Sequence, residues 1–278
     1  MRRRKEQMQI SEAELRAMTA QMNEMHEATF PQMKEALDDL GSSLRTNNSS
    51  RRGFLAGGSA LLGGFALAAC GGSEEPSAAP SASAKPSAKA SASPSASPSA
   101  KADADISGLK LNASLENLAV FAYKSALEAA PKGMFGKVPP AVVEFATNTM
   151  KQHAEHAAAF NAALTKAGGE AFTMPNPKLA GPITEMFAAL KDVPGLAKLA
   201  LTLENTAAAT YTKQMGEFTS PEALSAVATI APVERQHAAI LNFVLGNYPI
   251  PDTFVLLTEN KTEASSSLGA RPNSDVGG

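Results

Sequence analysis

The chain repeats itself, and the repeat limits what it can fold into. Leu115-Glu116-Asn117 is followed by Tyr123, and Leu203-Glu204-Asn205 by Tyr211. In each case the tyrosine lies seven residues after the glutamate, on the same helix face two turns on. A second pair of segments also matches: His156-Ala157-Ala158-Ala159-Phe160-Asn161 and His237-Ala238-Ala239-Ile240-Leu241-Asn242. Superposing them sets His153 opposite Glu234 and His156 opposite His237. Residues three apart occupy neighbouring turns of one face, so Glu234 and His237 point the same way. The chain therefore reads as two copies of one helical hairpin. Packed together, they predict an all-α fold, an antiparallel four-helix bundle with one long crossover connection.

Helix breakers place the four long helices at about 106–130, 139–167, 195–218 and 221–245. Pro131-Lys132-Gly133 ends the first, Gly168-Gly169 the second and Gly246 the fourth. The crossover, with Pro175, Pro177, Gly181 and Pro182, carries a short helix near 184–191. Glu116 and Glu204 lie in apolar runs, where an unpaired charge would be costly. Three of the four histidines fall in the second and fourth helices. A bundle whose Glu and His simply face solvent is the alternative. A near-neutral net charge of -2 gives no nucleic-acid footprint, and a single cysteine excludes a disulfide framework or a Cys-x-x-Cys site.

Outside the bundle, residues 1–49 form a polar, partly helical leader. Leu15, Met18, Met22 and Met25 fall at helical spacing. Pro31 is expected to break that helix, and 32–44 to form a second. This leader reads as a partner- or membrane-surface helix, as a cytoplasmic extension, or as a segment preceding a later start at Met25 or Met33. His26 reads as an ordinary solvated histidine. Residues 71–104 are almost wholly Ser, Ala, Pro and Lys, and are expected to be a disordered tether. The folded domain is expected at 105–257, and a disordered tail at 258–278.

Two resemblances follow. Ser50-Arg51-Arg52-Gly53-Phe54-Leu55, closed by Leu67-Ala68-Ala69-Cys70, is similar to a bacterial twin-arginine lipoprotein signal over 50–70. It implies export through the twin-arginine machinery, with Arg51 and Arg52 as its signature. It also implies a lipidated Cys70 and anchoring at the outer face of the cytoplasmic membrane or cell envelope. The bundle resembles the ferritin-like superfamily, in its branch of exported bacterial lipoproteins. That family carries one glutamate on the first and third helices and Glu-x-x-His on the second and fourth. Glu116, Glu204 and the Glu234/His237 pair match it, as does His156, but His153 stands where a carboxylate is expected.

The resemblance implies a dinuclear centre for two divalent ions, iron first, with manganese or zinc also suited. It further implies a ferroxidase-like activity or oxygen or peroxide handling. The alternative is a metal-buffering or structural envelope protein with a modified site. Tyr123 and Tyr211 would stand behind the ligands, or simply fill the core. A homodimer is compatible with this pattern.

Overall fold

A computed structural model describes residues 10–57, 98–252 and 255–276. Six helices dominate it: α1 (Glu12–Gly57), α2 (Pro98–Ala129), α3 (Pro140–Lys166), α4 (Ala180–Ala188), α5 (Val193–Gln214) and α6 (Pro221–Leu245). Local chemistry sets their ends. Asp192 caps α5 by accepting from the Gly195 N–H at 2.7 Å, and Ser220 caps α6 through the Ala223 N–H. Prolines stand in the first turn of α3, α5 and α6, where a missing N–H costs nothing. Gly246 ends α6 at φ 76°, in the left-handed region.

α2 pairs with α3 and α5 with α6, the two hairpins the repeat predicts. Tyr123 of α2 bonds Glu204 of α5 while Tyr211 of α5 bonds Glu116 of α2, so these helices run antiparallel. The repeated asparagines hold the connections. Asn117 donates to the Phe172 carbonyl at the start of the crossover, and Asn205 to the Ser266 carbonyl. Each Leu-Glu-Asn triplet thus turns a carboxylate inward and ties down an outer segment.

Five expectations need correction. The leader is one helix, α1, which passes through Pro31 without stopping. A capping box starts it: the Ser11 N–H donates to Glu14 Oε2 and the Glu14 N–H to Ser11 Oγ. It lies against both α3 and α6. Leu15, Thr19, Met22, His26, Met33, Leu37, Leu40 and Leu44 are its buried residues, at the three- and four-residue spacing of a coiled-coil seam. Met25, expected on that stripe, is 55% exposed. His26, expected in solvent, is buried.

The helix after the tether begins at Pro98, within the stretch expected to be disordered. Buried Asp105 helps hold it by accepting from the Thr219 N–H. The tail also has structure, with β1 (Glu259–Asn260) antiparallel to β2 (Ser267–Leu268). Polar residues of α5 bind it: Thr202 donates to Ser266 Oγ, and Thr206 and Thr210 accept from the N–H groups of Leu268 and Arg271. The signal at 50–70 falls partly at the end of α1, and its Cys70 lies outside the described residues.

α1 runs parallel to α3, with Arg16 meeting Glu144 and Asp38 meeting Lys166. The two helices come close at Gly41. A Cβ there would lie 2.8 Å from Lys166 Cβ and 2.9 Å from the Ala163 carbonyl oxygen. Gly41→Ala is therefore expected to destabilise the docked α1 by about 1–3 kcal/mol, despite alanine's better helix propensity. Denaturant melts checked by proteolysis of α1 measure this, and an unchanged or raised midpoint would show that the approach is not tight.

Candidate metal centre

All six residues singled out by the repeat meet at the bundle centre, and none is more than 1% exposed. α2 supplies Glu116, α3 His153 and His156, α5 Glu204, and α6 Glu234 and His237. His153 occupies the middle. Its Nδ1 lies 2.8 Å from Glu116 Oε2 and its Nε2 3.3 Å from Glu204 Oε1. His237 Nδ1 stands 3.2 Å from Glu204 Oε2 and 3.6 Å from Glu234 Oε2. His156 Nδ1 stands 3.5 Å from Glu116 Oε2 and 3.6 Å from Glu234 Oε1.

Two ligand groups emerge: Glu116, His153, His156 and Glu234, and His153, Glu204, Glu234 and His237. In each, four donor atoms lie within 4.8 Å of one another. Glu234 and His153 belong to both, and either could offer one atom to each group. Both oxygens of Glu234 and Nδ1 of His156 have no hydrogen-bond partner although buried. Buried polar atoms are seldom left so, and three of them turned toward one space fit a cation better than a packed core. The donors, nitrogen and carboxylate oxygen, suit iron, manganese or zinc.

Tyr123 and Tyr211 both stand behind the carboxylates. Tyr123 donates to Glu204 Oε1 at 2.5 Å and Tyr211 to Glu116 Oε1. Each tyrosine therefore braces the glutamate of the other hairpin, leaving the opposite oxygen for the centre. Burial, and the carboxylate each faces, push both phenols well above their ordinary value.

Burial would raise the Glu116 carboxyl, but His156 and His153 outweigh it and hold it at about 2. Glu204 is likewise held well below the ordinary range, against its burial, by His153 and His237. Glu234 is pushed up to about 8, by burial and by the Glu116 charge. Against burial, Glu204 raises His237 to about 9, and Glu204 with Glu234 raises His153. Burial lowers His156. The directions oppose one another: Glu116 and Glu204 are pushed toward the charged form, His153 and His237 toward the protonated form, and Glu234 and His156 toward the neutral one.

Residues that sequence reasoning missed surround this cluster. His26 Nε2 is 3.1 Å from His156 Nε2, and Gln152 Oε1 is 2.8 Å from His237 Nε2. The seam spacing of Leu15, Met22, His26 and Met33 was the available signal for His26. Glu155 and Gln236 lie on the α1 seam, facing His26 and Met25.

Residues 103–247 match the family described as the ferritin-like domain. That match covers more than half of the chain, which therefore belongs to this family. No curated protein and no solved structure matches it.

A pH dependence follows. His237 and Glu234 have folded values above their unfolded ones of 6.5 and 4.5. The folded metal-free chain then binds more protons than the unfolded one, and its stability falls as pH rises through those folded values. Between pH 6.5 and 9 its melting temperature is expected to fall, while metal ions, which compete with the same protons, bind more tightly. Thermal melts with and without zinc across that range check both, and a metal-free midpoint that rises with pH would contradict the assigned charges.

Proposed function

We propose that this ferritin-like chain binds two divalent metal ions at the buried cluster and uses them to oxidise ferrous ion or to handle oxygen or peroxide. The observation that carries the reading is the pair of ligand groups sharing Glu234 and His153, with the inward atoms of Glu234 and His156 unpartnered. Glu116 and His156 would hold one ion, Glu204 and His237 the other, and Glu234 would serve both. Iron bound there would supply one-electron exchange with oxygen or peroxide. The chain's own residues bind, orient and exclude water. The tyrosines fix the carboxylates, and the apolar helices keep the site dry. Beside Tyr123 lies an apolar cavity of about 50 Å³ lined by Leu15, Phe145, Leu203 and Leu241, a size that suits a small apolar molecule.

His153 supports a second reading, a metal-buffering protein without turnover. An imidazole replaces a carboxylate, removes one negative charge and serves two ions less readily than a carboxylate does. On this basis His153→Glu is expected to raise the iron bound per chain toward two and to speed its oxidation. Glu234→Ala is expected to lose most of the metal. Metal analysis followed by anaerobic ferrous loading and exposure to oxygen measures both. Oxidation no faster than in buffer would sink the enzymatic reading, and wild-type metal content in Glu234→Ala would sink the site.

The anchoring part of the proposal rests on Arg51-Arg52 and Cys70 in the sequence. Among the described residues no helix is long and apolar enough to cross a membrane. On this reading the chain is exported by the twin-arginine machinery and held in the envelope through lipid on Cys70. Processing there would separate α1 from the ferritin-like domain. Intact-mass analysis of the membrane fraction is expected to find a lipidated chain starting at Cys70, and an unmodified full-length chain in the cytosol would overturn the anchor.

A further inference from the structure

Both terminal histidines of the cluster turn Nδ1 inward and Nε2 outward, His156 toward α1 and His237 toward Gln152 of α3. Whether such a histidine can bind a cation through Nδ1 depends on Nε2 holding the proton, and so on what Nε2 meets. For His237 the answer can be traced outward. Asn148 Nδ2 donates to the Glu144 carbonyl at 2.9 Å, so its Oδ1 accepts from Asn23 Nδ2 at 2.9 Å. Asn23 Oδ1 then accepts from Gln152 Nε2 at 2.9 Å, which leaves Gln152 Oε1 as the acceptor facing His237 Nε2 at 2.8 Å. The ladder starts on a backbone carbonyl, which can only accept, so every amide in it has a fixed direction. His237 must donate through Nε2, so Nδ1, which faces Glu204 Oε2 at 3.2 Å, is the nitrogen that can turn to a cation once its own proton is displaced.

His156 has no such partner within the repeat. The residue equivalent to Gln152 in the second hairpin is Val233, which offers no acceptor. α1 supplies one. His26 Nε2 lies 3.1 Å from His156 Nε2, and His26 Nδ1 faces Glu155 Oε2 at 3.6 Å. That distance is too long for a hydrogen bond, but the negative charge of Glu155 favours the proton on the nearer nitrogen, Nδ1, and leaves Nε2 as the acceptor. Phe30, stacked on the His26 ring at 4.9 Å between centroids, holds it in that plane.

We infer that α1, which lies wholly outside the matched residues 103–247, is a functional wall of the metal centre: His26 directly, and Asn23 through Gln152, set the two terminal histidines to coordinate through Nδ1. They are positioning residues, and the inference rests on the metal-binding reading above. Without α1, His156 would keep its inward position but lose the partner that decides which nitrogen is bare.

The test uses the full chain and zinc, which permits NMR. In the zinc-loaded wild type, ¹⁵N-labelled histidines should show a through-hydrogen-bond coupling between His156 Nε2 and His26 Nε2, with Nδ1 of His156 and His237 shifted by the metal. His26→Leu should weaken zinc binding roughly 10–100-fold, the usual effect of losing such an outer partner. His26→Gln, whose amide oxygen can accept, should restore affinity to within a few-fold. Asn23→Leu should move the His237 signals and leave those of His156 in place. A His26→Leu affinity within a factor of about two of wild type, or coordination of His156 through Nε2, overturns the role of α1 while leaving the metal site standing. Should His26→Leu fail to fold, absence of the coupling in wild type, or loss of affinity in folded His26→Gln, overturns it instead. A wild-type chain that takes up no zinc at any pH overturns the metal reading itself.

Discussion

Three carboxylates and three imidazoles are buried together without solvent, and the bundle must compensate them. Charges enclosed by helices are tolerated only when each meets an opposite charge, a donor or a cation. The bundle supplies all but the last. His153 and His237 stand against Glu116 and Glu204, tyrosines donate to those carboxylates, and burial with the Glu116 charge favours the neutral form of Glu234. The proton inventory is thus a substitute for metal. Replacing protons by cations would convert the same groups from mutual compensation to coordination.

Much of this was legible because the repeat carried it. Breakers such as Pro131, Gly168, Pro221 and Gly246 end or start helices close to where the structure does, since their effect is local. The six central residues were found because two weak signals coincided: helical spacing and internal symmetry. The same symmetry marked His153 as the exception, and the structure puts that residue between the two ligand groups.

What was not legible depends on contacts distant in sequence. Pro31 signals a break, yet α1 continues because its seam is buried on both sides of the proline. Met25 looked apolar and inward but sits one position off the true stripe. Thr202, Asn205, Thr206 and Thr210 would be taken for a solvent face, whereas they form the ledge on which the tail hydrogen-bonds. His26 was marked only by its spacing from Leu15, Met22 and Met33, which says nothing of what it meets. Its partner is 130 residues away, and only the packed register of α1 against α3 brings the rings together.

The long connection between α1 and α2 gives that packing a further meaning. Residues 58–97 join two parts of one centre, so at present the closure of the His156 side is an intramolecular event with a high effective concentration. The processing before Cys70 proposed above is one cut in that stretch, and it would make the closure bimolecular. The centre would then be whole only while the severed helix stayed bound, and dilution, rather than any change within the bundle, would open it. A centre walled in part by a detachable helix records whether its chain is still in one piece.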